Sequence, residues 1–237
     1  MRKHIPNTIT SMNLLCGVVG VVFAFKGKVD IAFYLMLAGA LCDFCDGLAA
    51  RSLKAYSEIG RELDSLADIV TFGVLPSVML YNVSHVCMWG ESWICWTPLL
   101  LTVFSGLRLA KFNVDTRQSS GFLGLPTPAC ALLVGSLCYY VAWDYSCFLA
   151  LWCASPVFIP VLTLCLCALL VCEIPMFSLK FHADDPAVLK NKRLAFAFIV
   201  IAAVIVCAVC RLNWSLAVLL VFICYILKNV IYAIAKI

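Results

Sequence analysis

The chain has 237 residues, of which 64% are hydrophobic and 13% charged, with a formal net charge of +4. A soluble domain is nearer half apolar, and the apolar residues here fall in runs of about 20, the length that crosses a bilayer core, which excludes a sizeable soluble domain. The small positive balance belongs to membrane orientation and anionic lipid contact, with no argument for nucleic acid as a partner.

In chain order the predicted spans are 8–25, 29–50, 64–84, 93–112, 127–145, 156–175, 194–210 and 214–235. This is an all-α polytopic membrane protein of about eight helices, folded as a single domain over 1–237, with seven spans as the competing count. Arg2, Lys3 and His4 open the chain like the start of a signal peptide. Asn7, Thr8, Thr10, Ser11 and Asn13 then interrupt the apolar run, and no small-residue cleavage site follows, so the first span reads as a retained helix. The segments near 85–92 and 146–155 are short and nearly uncharged, and Arg211 to Asn213 leaves room only for a tight turn. Three loops, 51–63, 108–126 and 176–193, hold most of the polar chemistry. The last of these, with Lys180, His182, Asp184, Asp185 and a basic cluster at 190–193, reads as a solvated loop.

With the N-terminus inside, fourteen of the 17 Lys and Arg residues fall on inside segments, and only Lys26, Lys28 and Arg211 outside. Cytoplasmic loops carry such an excess, so both termini and the polar loops are expected on the cytoplasmic side of the cell membrane. Most of the 15 cysteines lie in apolar spans, where they act as small hydrophobes. Cys42-x2-Cys45 and Cys165-x-Cys167 each lack the second half of a zinc site.

The chemistry concentrates between Cys42 and Asp68, at the end of the second span and the start of the third. Asp43 and Asp46 are three apart and Asp64 and Asp68 four apart, so each pair shares a helix face. A short loop joins the helices, so four carboxylates are predicted to converge. An Asp at a membrane helix centre costs about 2.5–3.5 kcal/mol. Two like charges ~4 Å apart add about 4 kcal/mol at an effective dielectric near 20. Such a group must be hydrated, protonated, paired or metal-bound, and oxygen ligands suit hard divalent ions such as Mg²⁺ or Mn²⁺. Carboxylate sites with open coordination positions are typical of phosphate chemistry. The competing reading pairs the aspartates with Arg51, Lys54 and Arg61 as interfacial charges. Against it, Gly47 and Ala50 continue the aspartate stripe as a low surface that admits a bulky ligand, although small residues also serve helix packing. Gly60 opens the third span in the same way, and Arg51 ends the stripe with a forked cation suited to phosphate.

The pattern Asp43-x2-Asp46-Gly47-x2-Ala50-Arg51-x8-Gly60-x3-Asp64-x3-Asp68 resembles the signature of the CDP-alcohol phosphatidyltransferases at every defining position. The resemblance implies that Asp43, Asp46, Asp64 and Asp68 hold two divalent ions, that Asp68 is the general base, and that Gly47, Ala50, Arg51, Ser57 and Gly60 surround the CDP part of the donor. It also implies a homodimer. Segments 5–17, 62–76, 108–113 and 121–129 further resemble the phosphatidylserine synthases of bacteria and archaea. That implies CDP-diacylglycerol and L-serine as substrates and phosphatidylserine and CMP as products. Asn7 and Thr10 are candidate contacts to the cytidine or phosphate. Arg108, Lys111 and Arg117 are candidates for the acceptor carboxylate or the donor phosphate, against a reading of ordinary inside charge. Pro126 and Pro128 fix the chain entering the fifth span, and Gly121 and Gly124 relax its approach. Rival functions are the same reaction with glycerol 3-phosphate, inositol or its phosphate as acceptor, a divalent-cation transporter, and a non-catalytic scaffold.

Overall fold

The computed structural model describes residues 4–55, 57–88, 92–115, 122–176, 207 and 213–234. Among them the chain is helical apart from one two-residue strand pair. The elements are α1 (His4–Phe25), α2 (Val29–Ser52), α3 (Glu58–Asp68), a π-helical segment (Ile69–Val74), α4 (Leu75–Cys87), a 3₁₀ turn (Trp93–Leu99), α5 (Leu100–Val114), β1 (Phe122–Leu123), α6 (Thr127–Trp143), α7 (Phe148–Cys153), α8 (Phe158–Val171), β2 (Pro175–Met176) and α9 (Trp214–Ile234). Five helices are long and apolar enough to cross a membrane: His4–Phe25, Val29–Ser52, Glu58–Cys87, Trp93–Val114 and Trp214–Tyr232. Thr127–Trp143 and Phe158–Val171 are shorter apolar helices.

The third span starts at Glu58, six residues before its predicted start at 64. Polar Glu58, Arg61 and Glu62 hid the helix from a hydropathy reading, whereas Ser57 starts it by accepting the Gly60 N–H at 3.0 Å, an N-cap of the usual kind. The 146–155 segment, read as a short loop, contains the small helix α7. Except for Cys207, the span predicted at 194–210 lies outside the described residues, as does the loop beyond Met176 with its basic cluster.

α2 closes with a left-handed Lys54, φ 49°, and with Lys54 N–H on Arg51 O and Ala55 N–H on Ala50 O. This is the paired closure of a Schellman turn. It sends the chain straight back into α3, so the two aspartate-bearing helices form a tight hairpin. The run Glu58–Cys87 is the central element: 56% of its apolar window is buried, against 28% for each of the first two spans. Its Phe72, Leu75, Met79 and Leu80 build the core with Phe33 and Met36 of α2 and Val134 and Leu137 of α6. α6 comes close to α2 at Gly135, where a Cβ would meet the Phe33 ring at 2.8 Å.

Pro76 sits at the start of α4 and has no N–H for the α-helical ladder. Just before it the helix widens by one residue, and the Leu75 N–H reaches Val70 O, five residues back. The Ser77 hydroxyl donates to Gly73 O at 2.6 Å across this segment.

The described parts of the polar segments meet at one end of the bundle. Asn113 donates to Ser65 Oγ at 2.9 Å, Lys111 pairs with Glu173 at 3.1 Å, and β1 pairs antiparallel with β2, Phe122 opposite Met176. Gly124, φ 77°, donates to Ile174 O at 2.9 Å, and a Cβ there would meet the carbonyls of Leu170 and Cys172 within 2.8 Å. Only glycine fits so close to a helix end at that φ. At the other end Tyr34 and Tyr139 share a hydroxyl hydrogen bond of 3.0 Å beside Trp214, where amphipathic rings suit a membrane boundary. Leu15, Val18, Leu41, Phe44 and Leu48 stay exposed on α1 and α2, an apolar surface matched to lipid.

Candidate active site

α1, α2 and α3 converge at the loop-bearing end. Asp43 from α2 and Asp64 and Asp68 from α3 bring carboxylate oxygens within 4.8 Å of one another, each residue partly buried. Three hard oxygen donors at that spacing fit a divalent cation such as Mg²⁺ or Mn²⁺. Asp46 stands outside this triple. It is 7% exposed and accepts the Thr10 hydroxyl at 2.6 Å, turned toward α1 and the neighbouring cavity. The convergence is therefore three carboxylates with a fourth beside them, held by the Thr10 hydroxyl of α1.

That cavity measures about 670 Å³ and opens between the three helices. Asn7 and Thr10 line it from α1, Asp46, Gly47, Ala50 and Arg51 from α2, and Ser57, Gly60 and Asp64 from the start of α3. Every residue that the sequence assigned to the CDP part of a donor thus borders one space. A Cβ on Gly47 would meet nothing nearer than Arg51 Nη2 at 3.9 Å, so its missing side chain leaves room in the cavity itself. Gly60 works differently: a Cβ there would press on Asn7 Oδ1 at 2.8 Å and Ser57 Oγ at 2.9 Å. It lets α1 dock on the α3 cap rather than opening space. The Arg51 side chain lies along α2, its Nε donating to Gly47 O at 2.9 Å.

Of the three cations assigned to the acceptor, the two that are described have different partners. Arg108 is 6% exposed in α5, donates from Nη1 to Thr127 Oγ1 at 3.0 Å, and lies 5.7 Å from the Phe112 ring centroid. Asp68 is within electrostatic reach of it. Lys111 is held at the end of α8, by Glu173 at 3.1 Å and Val171 O at 3.4 Å. Arg117 lies outside the described residues. Arg61, offered as a partner for the aspartates, pairs with its neighbour Glu62 at 3.3 Å.

One residue carried no role in the sequence reading and has one here. Asn13 of α1 is fully buried and donates from Nδ2 to Asp68 Oδ1 at 3.4 Å. Asn7, Thr10 and Asn13 recur every third residue in an otherwise apolar helix, and that spacing was the available signal. The structure turns this stripe toward the acidic helices.

The sequence matches the family model described as CDP-alcohol phosphatidyltransferase over residues 3–169. A Bacillus subtilis protein named CDP-diacylglycerol–serine O-phosphatidyltransferase is 33% identical over 183 residues, covering 77% of this chain and 95% of that protein. A Mycobacterium tuberculosis protein of the same name is 32% identical over 235 residues, 94% of this chain and 76% of its own. An archaetidylserine synthase of Methanothermobacter thermautotrophicus is 32% identical over 145 residues, 60% of each chain. The matched region contains the whole of the acidic hairpin and its cavity, and on that basis the chain belongs to the CDP-alcohol phosphatidyltransferase family.

Proposed function

We propose that this protein transfers the phosphatidyl group of CDP-diacylglycerol to the hydroxyl of L-serine, forming phosphatidylserine and releasing CMP. The observation that carries the reading is the meeting of Asp43, Asp64 and Asp68 beside a cavity walled by Gly47, Ala50, Arg51 and Gly60. Serine as acceptor is supported by the names of the relatives in Bacillus subtilis and Mycobacterium tuberculosis.

In this reading Asp43, Asp46, Asp64 and Asp68 hold two divalent ions, Mg²⁺ or Mn²⁺. Bound there, such ions neutralise the charge of a diphosphate and of the phosphoryl group in transfer. The CDP moiety occupies the cavity, with its base and ribose against Gly47, Ala50 and Gly60 and its phosphates near Arg51. Asn7, Thr10 and Ser57 offer polar contacts from the rim. The acyl chains stay in lipid beside α1 and α2. Asp68 Oδ takes the serine hydroxyl proton as the oxygen attacks the phosphorus that bears diacylglycerol. The bond from that phosphorus to the CMP oxygen breaks, and Arg51 stabilises the departing charge. Of the cations assigned to the acceptor, Arg108 suits the serine carboxylate best, since Lys111 is engaged by Glu173. The site faces the cytoplasm of the cell membrane, a placement supported by fourteen of 17 basic residues on inside segments. The whole chain, 1–237, acts as one membrane domain.

Purified protein supplied with labelled CDP-diacylglycerol and a divalent metal is expected to release CMP with L-serine. Glycerol 3-phosphate and inositol tested in parallel should give little. Faster release with either one would assign a different acceptor within the same reaction class, and metal flux without CMP would remove the reading altogether.

A further inference from the structure

The side of α1 that faces the acidic hairpin carries two donors, three residues apart, each on a different aspartate. Thr10 donates to Asp46 on α2, and Asn13 donates to Asp68 on α3. Asn13 is held from both sides. Its backbone carbonyl accepts the Thr71 hydroxyl at 3.1 Å, and Gly39 of α2 lies so near that a Cβ there would come within 2.8 Å of Asn13 Oδ1. With Asp68 ionised, turning the amide over would set Oδ1 against a carboxylate oxygen, so Nδ2 is the group that faces it. With Nδ2 on Asp68, Oδ1 is buried with no hydrogen-bond partner among the described residues. An acceptor buried in this way weakens the fold, so stability does not explain an amide at this position. An ionised carboxylate three residues before Thr71, at the entry to the π-helical segment, does explain it.

We infer that Asn13 is a positioning residue for Asp68, orienting that carboxylate from α1 for metal binding and proton transfer at the cost of some stability. The inference rests on the proposed reading of Asp68, and the test separates the two. Asn13→Leu and Asn13→Ala are compared with Asp68→Asn in three measurements: thermal unfolding of the chelated protein, Mn²⁺ affinity by electron paramagnetic resonance, and steady-state CMP release. Loss of an orienting partner of this kind costs about 10–100-fold in metal affinity or turnover. At least one Asn13 variant is therefore expected to lose about that factor in kcat or Mn²⁺ affinity while its metal-free unfolding temperature stays within about 5 °C of the parent. Variants within about twofold of the parent in both kcat and Mn²⁺ affinity would overturn the positioning role. So would a fall of more than about 5 °C in the metal-free protein for both, since the amide would then be a structural group. Asp68→Asn with undiminished turnover would instead sink the assignment of the base and leave the Asn13 contact without its proposed purpose.

Discussion

A side chain that is missing tells as much about this site as those that are present. Gly47 lies inside α2, where glycine costs about 1 kcal/mol of helix stability relative to alanine. Neither packing nor backbone angle requires it, because a Cβ there meets nothing closer than 3.9 Å. Gly47→Leu should therefore leave thermal stability equal or higher while filling space meant for the donor. Its KM for CDP-diacylglycerol is expected to rise about tenfold or more, the scale of a misfitted pocket group, measured by CMP release alongside an unfolding curve. An unchanged KM would remove Gly47 from the donor site. Gly60 was readable as a small residue in the same pattern, but its purpose was not. Its hydrogen faces Asn7 and Ser57, and only the docking of α1 made that visible. Lys111 shows the same limit: the sequence placed a cation near the acceptor, and a glutamate 62 positions away claimed it.

At the level of elements, the hairpin of α2 and α3 was legible because its signals are local. Two aspartates three apart and two four apart define helix faces, whereas the Ser57 cap that starts α3 six residues before the predicted span was not read. The π-helical segment was not legible. Pro76 marks a break in the ladder, but the widening over Ile69–Val74 depends on how Thr71 and Gly73 meet α1 and α5. Thr71 is fully buried and donates to Asn13 O. Thr71→Val keeps the shape and removes that bond, which should cost about 1 kcal/mol. In a chain of this size that lowers the unfolding temperature by about 2–4 °C, a shift that scanning calorimetry or a thiol-reactive dye assay in detergent resolves. No shift would mean that packing alone seats the segment against α1.

For the molecule as a whole, the acidic cluster joins helices that otherwise repel one another through their carboxylates. Binding a divalent ion there should tie α2 to α3 and raise the unfolding temperature with metal concentration. At about 100 times its dissociation constant an ion adds about 2.7 kcal/mol. Exhaustive chelation is expected to abolish CMP release and lower the unfolding temperature together, with Mg²⁺ or Mn²⁺ restoring both. Full activity after chelation would end the metal assignment.

The sequence alone pointed to the membrane class, to most of the long apolar helices and to an acidic cluster on the second and third spans, because run length and helical spacing are properties of neighbouring residues. It also located every residue bordering the cavity that it had assigned to the donor. The tertiary structure decided which three carboxylates meet, why Asp46 turns to Thr10, where Arg108 and Lys111 find partners, and what Asn13 touches. Those outcomes depend on contacts between helices and segments 19 to 62 residues apart in the chain, and no local pattern encodes the rotation of one helix against another.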